Sequence, residues 1–321
     1  MRKNIGLISL LFVACLCTYL LNDRFLAPTN IENLLRRTAL FSLISIGVSF
    51  VITGAGIDLS IGSVVCLIGT ILPWLVVHHG WSWPLALLFL LILAALLGAF
   101  HGTLITKLKL QPFIVTLCGL LLYRGLARGI TGDQTQGFGM EFESLRALAT
   151  GKLSGLGLLP FEVPNVVFIT LIVAIISSVV MSRTRYGLYL RAVGRNEVAA
   201  RYSGVNTDRT KIWAYVACSL LAGFGGVLFI LDVNSAQPSD FGNFYELYAI
   251  AAAVLGGCSL RGGESSILGV IIGATLMQVL RNAIVLLDIP TQLEFAIIGA
   301  VILAGVTTEE LIRRAAKSVS A

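Results

Sequence analysis

Apolar stretches of roughly 20 residues recur along the whole chain, and this pattern limits the possible fold more than any other feature. A helix needs ~20 apolar residues to cross a bilayer, whereas a barrel strand needs only about ten. The stretches cover residues 4–21, 38–54, 60–77, 84–106, 112–130, 163–182, 212–231, 247–259, 265–287 and 292–306. Charged residues make up 12% of the chain, against ~25% in soluble domains. The sequence therefore predicts an all-α, polytopic membrane bundle of about ten transmembrane helices, forming one domain over residues 1–321.

Some of these stretches allow more than one interpretation. Residues 38–54 and 247–259 are short and are compatible with half-helices or re-entrant segments. The first stretch follows a basic head, as in a secretory signal, but no small-x-small cleavage site follows it, so we expect an uncleaved helix. The six cysteines lie in the apolar stretches without C-x-x-C spacing, and we expect them to be small buried residues.

The distribution of positive charge predicts how the chain is oriented. The net charge is +6, and most cations cluster in short segments between the apolar stretches. Cytoplasmic loops carry an excess of Lys and Arg, so we expect both termini in the cytoplasm and no nucleic-acid role. Arg36 and Arg37 fit less well, since they are predicted at the outer end of the second helix.

Two polar segments are longer than a helix connection requires. Residues 131–164 are predicted outside the cytoplasm and are a candidate docking surface for an extracytoplasmic partner. Residues 182–211 are predicted in the cytoplasm, with Asn196 as a helix N-cap and Gly204 as the left-handed residue after the helix end. Residues 197–203 thus predict a two-turn surface helix. It is either a segment that docks in a groove of another protein or part of an ordinary basic loop.

Five ordered motifs resemble one family of membrane proteins. They are GIDLSIGS (56–63), KLKLQPFIVTL (107–117), YRGLA (123–127), GRNEVAARYSGVNTDRTKIWAYVACSLLAGFGGVL (194–228) and ELYAIAAAVLGGCSLRGG (246–263). They are similar to motifs of the permease subunits of bacterial ABC importers for sugars, of the ribose-permease type. The resemblance implies a location in a bacterial inner membrane, a second permease subunit that is identical or paralogous, separate ABC ATPase subunits and a periplasmic substrate-binding protein. It also implies that the cytoplasmic segment couples to the ATPase through Gly194, Arg195, Asn196, Glu197, Ala199, Ala200 and Gly204.

The sequence contains no motif for chemistry of its own. It has no G-x-x-x-x-G-K-[ST] phosphate loop, so we expect ATP to be bound and hydrolysed by a partner, with no cofactor in this chain. We find no metal-ligand cluster and no catalytic constellation, and the chain is not expected to be an enzyme. His101 is interpreted as a packed helix-contact residue.

Polar residues at membrane depth are the candidates for a translocation path, because charges there are costly. Asp58, with Ser60 and Ser63, is the best candidate. It is interpreted first as a cap at a glycine-rich break between two helices and second as a solute contact. The candidates for the path or its hinges are Gly56, Asp58, Ser60, Ser63, Gln111, Pro112, Thr116, Asn234, Gln237, Gln278 and Asn282.

Glycines at helical spacing are predicted to bring helices close together. The pairs are Gly98 and Gly102, Gly125 and Gly129, and Gly269 and Gly273. The stretch GGCSLRGGESSILGVIIG faintly echoes GAGIDLSIGSVVCLIG, as an internal duplication in a transporter would. The leading functional hypothesis is a sugar importer. A branched-chain amino-acid permease and a proton-coupled secondary carrier are the alternatives.

Overall fold

A computed structural model describes residues 2–153 and 161–301 together with residues 303, 304 and 307. The described residues are mainly helical, and residues 294–301 form a helical segment after α12. The α-helices are α1 (Arg2–Leu21), α2 (Pro28–Thr53), α3 (Ile61–Pro73, continued by a π-helical turn Trp74–His78), α4 (Trp83–Lys107), α5 (Pro112–Thr131), α6 (Glu143–Thr150), α7 (Asn165–Arg183), α8 (Arg185–Arg195), α9 (Glu197–Tyr202), α10 (Thr207–Val233), α11 (Tyr245–Leu255) and α12 (Ile267–Leu286).

The all-α membrane bundle predicted from the sequence is confirmed. Among the described residues, seven helices are long and apolar enough to cross a membrane, namely α2, α3 with its π-helical turn, α4, α5, α7, α10 and α12. The apolar part of α1 and the 11-residue α11 are shorter. The predicted break is also confirmed, because α2 ends at Thr53 and α3 begins at Ile61.

Helix α2 begins ten residues earlier than its apolar stretch, at Pro28. Proline is well suited to the first position of a helix, because its missing N–H is not needed there. Arg36 and Arg37 therefore lie inside α2, which extends beyond them to Pro28. Arg36 forms a salt bridge with Asp232 on α10, in which Nη1 of Arg36 lies 3.4 Å from Oδ1 of Asp232.

The connections between the helices gather at two opposite ends of the bundle. We call one the basic end; it carries the connections 54–60, 108–111, 184–206 and 256–266. There, Lys107 lies 2.9 Å from Asp208. We call the other the long-loop end; it carries the connections 22–27, 79–82, 132–164, 234–244 and 287–293. There, Asn22 donates a hydrogen bond of 2.6 Å to the carbonyl of Leu286.

Helix α10 runs through the centre of the bundle and contacts α2, α3 and α4. Its close contact with α4 depends on Gly98 and Gly102, as predicted, because a Cβ at Gly102 would come within 2.7 Å of Ile212 Cα. Gly269 and Gly273 likewise approach the backbone of α11 and the residue after it. Gly125 and Gly129 do not pack within the described part of the chain, where both face open space.

Two short antiparallel strand pairs stabilise the long polar connection 132–164. Strand β1 (Gln136–Gly137) pairs with β4 (Ser235–Ala236), and β2 (Lys152–Leu153) pairs with β3 (Val163–Pro164). Lys152 also forms ion pairs of 2.6 Å with Glu32 and 3.3 Å with Glu162. The hydrogen bonds to these two carboxylates raise the pKa of Lys152. Within the predicted periplasmic segment 131–164, residues 154–160 lie outside the described residues.

Candidate functional site

The break between α2 and α3 is held by a buried carboxylate. Asp58 is fully buried, and its Oδ1 accepts hydrogen bonds from the backbone N–H of Ser60 at 2.9 Å and from the Ser60 hydroxyl at 2.6 Å. Ser60 is the N-cap of α3, and the Ser63 hydroxyl donates to the Ser60 carbonyl at 2.7 Å. Asp58 thus stabilises the turn just before the helix rather than occupying the cap position itself. Its Oδ2 accepts no hydrogen bond from the described residues.

Two further helices join this polar turn. The Ser60 hydroxyl lies 3.5 Å from Nδ1 of His101 on α4, and His101 Nε2 lies 2.7 Å from the hydroxyl of Tyr123 on α5. Both rings are buried, with 1% exposed. His101 is a helix-contact residue, as interpreted from the sequence, but its contacts are polar. Tyr123 was missed by sequence reasoning, because nothing local marks it as a partner of a residue on another helix.

The second break, between α11 and α12, meets the first break directly. The N–H of Gly263 donates to the carbonyl of Thr53, the last residue of α2, at 2.8 Å. Gly194 of α8 lies against both groups, and a Cβ at this position would overlap the Thr53 carbonyl oxygen. The region where these three segments meet, Gly194 with Thr53 and Gly263, is called the junction below.

The predicted surface helix is present as α9, and it is preceded by α8, which sequence reasoning missed. The Asn196 side chain caps α9 by accepting a hydrogen bond of 2.9 Å from the Ala199 N–H. Gly204 follows the helix with φ of +84°, the left-handed conformation that glycine adopts without strain. Within α9, Ala200 is buried and Ala199 is exposed, and Arg195 at the end of α8 is exposed as well.

Ion pairs fasten α9 to the membrane helices. Glu197 lies 2.5 Å from Lys211 on α10 and 3.5 Å from Arg201, and Arg201 lies 2.9 Å from Asp208. Burial by itself would raise the pKa of Glu197, but the Lys211 hydrogen bond and nearby positive charges outweigh it and lower the pKa. Glu197 therefore stays ionised near neutral pH, and α9 keeps its ionic contacts with α10.

The outer face of α9 presents two apolar side chains at one-turn spacing. Val198 is 64% exposed and Tyr202 is 89% exposed. Residues four apart on a helix lie on the same face. A rigidly held short helix with an apolar outer face is suited to docking on another protein.

The other predicted path residues do not meet at one place. Gln111 and Pro112 begin α5 at the basic end, and the Thr116 hydroxyl bonds back to the Pro112 carbonyl at 2.9 Å. Asn234 and Gln237 lie at the long-loop end and donate to the carbonyls of Gly139 and Asp133, respectively.

The two predicted polar residues of α12 also differ in their surroundings. Asn282 bonds to Asn30 of α2, with N–O distances of 2.7 and 3.1 Å. Gln278 is buried, and neither polar atom of its side chain has a hydrogen-bond partner among the described residues. Asn282 thus links two helices, and Gln278 keeps unused hydrogen-bonding capacity within the bundle.

A small cavity of about 20 Å³ lies beside the first break. Gly56, Pro112, Lys211 and Tyr215 are among its lining residues. The Tyr215 hydroxyl donates to the Ile57 carbonyl at 3.1 Å, which fixes one wall. A volume of this size holds about one water molecule, so the cavity is too small for a sugar in this conformation.

Several charged residues inside or directly beside the apolar stretches were not among the predicted site residues. Arg124 of α5 donates to the carbonyl of Phe241 at 2.8 Å, and Glu246 of α11 is buried with its carboxylate against Gly62. Arg281 and Glu294 form an ion pair of 2.7 Å near the long-loop end. The sequence could have indicated these residues, because an ionisable residue within an apolar stretch is costly unless it is paired or functional. No group of three potential metal ligands occurs among the residues that the structure describes.

Comparison with known proteins assigns the family. Residues 30–306 match the family model described as the permease component of the branched-chain amino acid transport system. The chain belongs to this family. No solved structure matches it.

Curated relatives of this permease cover nearly its full length. It is 34% identical to the ribose import permease protein of Haemophilus influenzae, over 96% of this chain and 92% of that protein. It is 37% identical to the ribose import permease protein of Bacillus subtilis, over 92% and 89% of the two chains. It is 31% identical to the xylose transport system permease protein of Escherichia coli strain K12, over 92% and 88%. The permease is therefore a multi-pass membrane protein similar to transport subunits.

Proposed function

We propose that this chain is the membrane subunit of an ATP-driven importer that moves a sugar from the periplasm to the cytoplasm by alternating access. The substrate class is a pentose, a hexose or a related polyol. The observation that carries the proposal is the similarity to ribose and xylose permeases over 92–96% of the chain. Neither the path residues nor the coupling residues contradict it.

The two alternative functions have less support. The family description names branched-chain amino acids, but the relatives at 31–37% identity are named for ribose and xylose. A proton-coupled carrier needs ionisable groups in a relay across the membrane. The buried chain from Asp58 through Ser60 and His101 to Tyr123 joins neighbouring helices instead of leading from one end of the bundle to the other.

The ATPase subunit is proposed to dock on α9 at the basic end and to bind and hydrolyse ATP itself. Support comes from the exposed Val198 and Tyr202 and from the ion pairs that hold Glu197 and Arg201 in place. Because these ion pairs hold α9 against α10, a movement of the bound ATPase subunit would displace both helices together. This arrangement gives a role to the predicted coupling residues Gly194, Arg195, Asn196, Glu197, Ala199, Ala200 and Gly204.

The junction supplies a route from α9 into the membrane. Gly194 lies in α8, directly before α9, and contacts Thr53 at the end of α2 and Gly263 in the connection between α11 and α12. A displacement of α8 therefore moves the ends of α2 and of the α11–α12 break together. We propose that this movement opens and closes the path beside Asp58, with residues such as Gly56 as hinge.

The orientation and the remaining partners follow from charge and surface. The basic end is proposed to face the cytoplasm, with both termini on that side of a bacterial inner membrane. The long-loop end then faces the periplasm and receives the substrate-binding protein. The unpacked face of α5 around Gly125 and Gly129 is the proposed contact with a second permease subunit, since small residues allow close helix approach.

A docking experiment tests the ATPase assignment. Tyr202→Ala removes most of the exposed apolar surface of α9 and is expected to reduce co-purification of the ATPase and uptake, while membrane insertion stays normal. Met140→Ala is the matched control for ATPase co-purification, because Met140 is 94% exposed but lies at the opposite end. Wild-type co-purification by the Tyr202 variant would contradict docking on α9.

A transport experiment tests the substrate class. Cells expressing this permease with its ATPase and binding protein are given radiolabelled ribose, xylose or leucine. We expect uptake of a sugar and none of leucine. Uptake of leucine without any sugar would replace the sugar proposal with the amino-acid alternative.

A further inference from the structure

A groove opens on the side of the bundle between α7 and α10, near the basic end. Its volume is about 570 Å³, and its lining is almost entirely carbon. Phe50, Val173, Val180 and Leu220 are among the lining residues, and Trp213 stands at the rim, 52% exposed. An apolar groove on the side of a membrane bundle faces the lipid, so a lipid chain can enter it directly.

Helix α8 closes the groove at the basic end. The Tyr186 hydroxyl donates to the carbonyl of Thr210 at 3.4 Å, which holds α8 against α10. Tyr and Trp favour the membrane–water interface because one end of each side chain is apolar and the other is polar. Tyr186 and Trp213 together therefore mark the depth at which the apolar groove meets the headgroup region.

Two arginines continue the groove beyond this depth. Arg209 lies four residues before Trp213 on α10, and Arg183 lies three residues after Val180 on α7. Helical residues at these spacings share a face, so each arginine extends a stripe that lines the groove. Both are exposed, and neither forms a salt bridge within the described ranges of the chain. Long cationic side chains at helix ends extend toward the interface.

The dimensions of the groove match one leaflet of a bilayer. Leu220 lies 11 positions after Arg209 on α10, which corresponds to ~16 Å at 1.5 Å per residue. This is about half of the ~30 Å hydrocarbon core. A transmembrane helix of another protein would need a surface across the whole core, whereas a lipid needs an apolar length of one leaflet that ends in charge. Helix α1, another candidate occupant, packs against α12 instead.

We propose that this groove is a binding site for an anionic phospholipid of the cytoplasmic leaflet. An acyl chain lies along Val173, Val180 and Leu220, and the phosphate is bound by Arg183 and Arg209. A basic pocket between transmembrane helices on the cytoplasmic side has the chemistry that recognises anionic headgroups. The bound lipid stabilises the position of α8 against α10, next to the junction.

Lipid retention measured on the purified full-length chain tests this proposal. The protein is reconstituted in phosphatidylcholine vesicles with increasing phosphatidylglycerol, extracted in mild detergent, and examined by native mass spectrometry. We expect preferential retention of phosphatidylglycerol. The double variant Arg183→Gln with Arg209→Gln is expected to reduce that preference about 30-fold, and each single variant about 5-fold. The single variants keep the test decisive if the double variant is unstable.

Matched variants separate this site from a general charge effect. Lys109→Gln with Arg261→Gln removes two exposed cations at the same end, neither of which lines the groove, and is expected to leave the preference unchanged. Ala217→Phe places a ring in the groove and is expected to reduce retention of both lipids. Glycerol 3-phosphate, which carries the phosphate without acyl chains, is expected not to compete.

Four results would overturn the proposal. The first is equal retention of the two lipids by the wild-type chain. The second is an equal loss of preference in the control pair Lys109→Gln and Arg261→Gln, which indicates only surface charge. The third is competition by glycerol 3-phosphate at the strength of the lipid, which indicates an anion site without an acyl groove. A dimer that Ala217→Phe dissociates would likewise assign the groove to a second copy.

Discussion

Gly194→Ala is the most direct test of how motion passes from the surface helix to the membrane. The added Cβ would overlap the Thr53 carbonyl oxygen and crowd the Gly263 N–H. Overpacking a tight site costs ~1–3 kcal/mol, and loss of the 2.8 Å Gly263–Thr53 hydrogen bond costs about 0.5–1.5 kcal/mol more. The junction is thus destabilised by about 2–4 kcal/mol.

This free-energy cost is small enough for the chain to fold and large enough to disrupt the junction between Gly194, Thr53 and Gly263. Domain stabilities are ~5–15 kcal/mol, so the variant should still insert and remain monodisperse in detergent. A change of about 2–4 kcal/mol shifts the population of the intact junction by roughly 30- to 1000-fold. We therefore expect sugar uptake to fall more than about tenfold. Co-purification of the ATPase should remain near wild type, because α9 and its ion pairs are unchanged.

The assay compares uptake and ATPase co-purification in the same membranes. Gly6→Ala is the matched control, since a Cβ at Gly6 meets no described atom within 4 Å. Near-normal uptake by Gly194→Ala would refute the role of the junction. A parallel loss of uptake and co-purification would show that Gly194 contributes to docking instead of transmission.

Three further predictions concern the buried polar chain and α9. Tyr123→Phe leaves a nitrogen of the buried His101 ring without its partner and should lower the free energy of unfolding by ~1–2 kcal/mol, measured by unfolding in detergent; an unchanged value would exclude the bond. Asp58→Asn keeps an oxygen that accepts the Ser60 hydrogen bonds, so uptake should survive in this variant if Asp58 only stabilises the break. Asp58→Ala removes that oxygen and should abolish uptake. Equal loss of uptake in both variants would indicate that the charge itself is needed. The pKa of Glu197 is lowered below 4.5, so its ion pair with Lys211 contributes stability above that pH and is lost as the pH falls through the lowered pKa. ATPase co-purification should accordingly be flat from pH 8 to about 5 and decline only below it; a decline near pH 6.5 would point to another group.

The boundaries of the membrane helices were predictable because they depend on local properties. Within a bilayer each backbone polar group must find a partner in its own segment, so apolar length reports the helices directly. The break at residues 54–60 and the cap at Asn196 were predictable for the same reason, since glycine, aspartate and asparagine act on neighbouring backbone groups. The main error, the start of α2, arose because Pro28 begins the helix within a polar stretch.

The contacts between distant segments were not predictable in this way. The bond between His101 and Tyr123 joins α4 to α5, and the junction joins residues 53, 194 and 263. Neither leaves a spacing pattern in the sequence, because both depend on how the helices cross. Gly125 and Gly129 show the converse, since their spacing predicts packing that is not found within the described chain.

The amino-acid sequence by itself determined that this protein is a helical membrane bundle, where its helices break, and which segment forms the capped surface helix. Each of these depends on interactions within a few residues. Only the tertiary structure decided that hydrogen bonds link Asp58 through Ser60 and His101 to Tyr123. It alone also showed that Gly194 meets both Thr53 and Gly263, and that α7, α8 and α10 enclose one apolar groove. These arrangements depend on packing between helices far apart in the chain, where the close approach of glycines such as Gly98 and Gly102 sets which side chains meet.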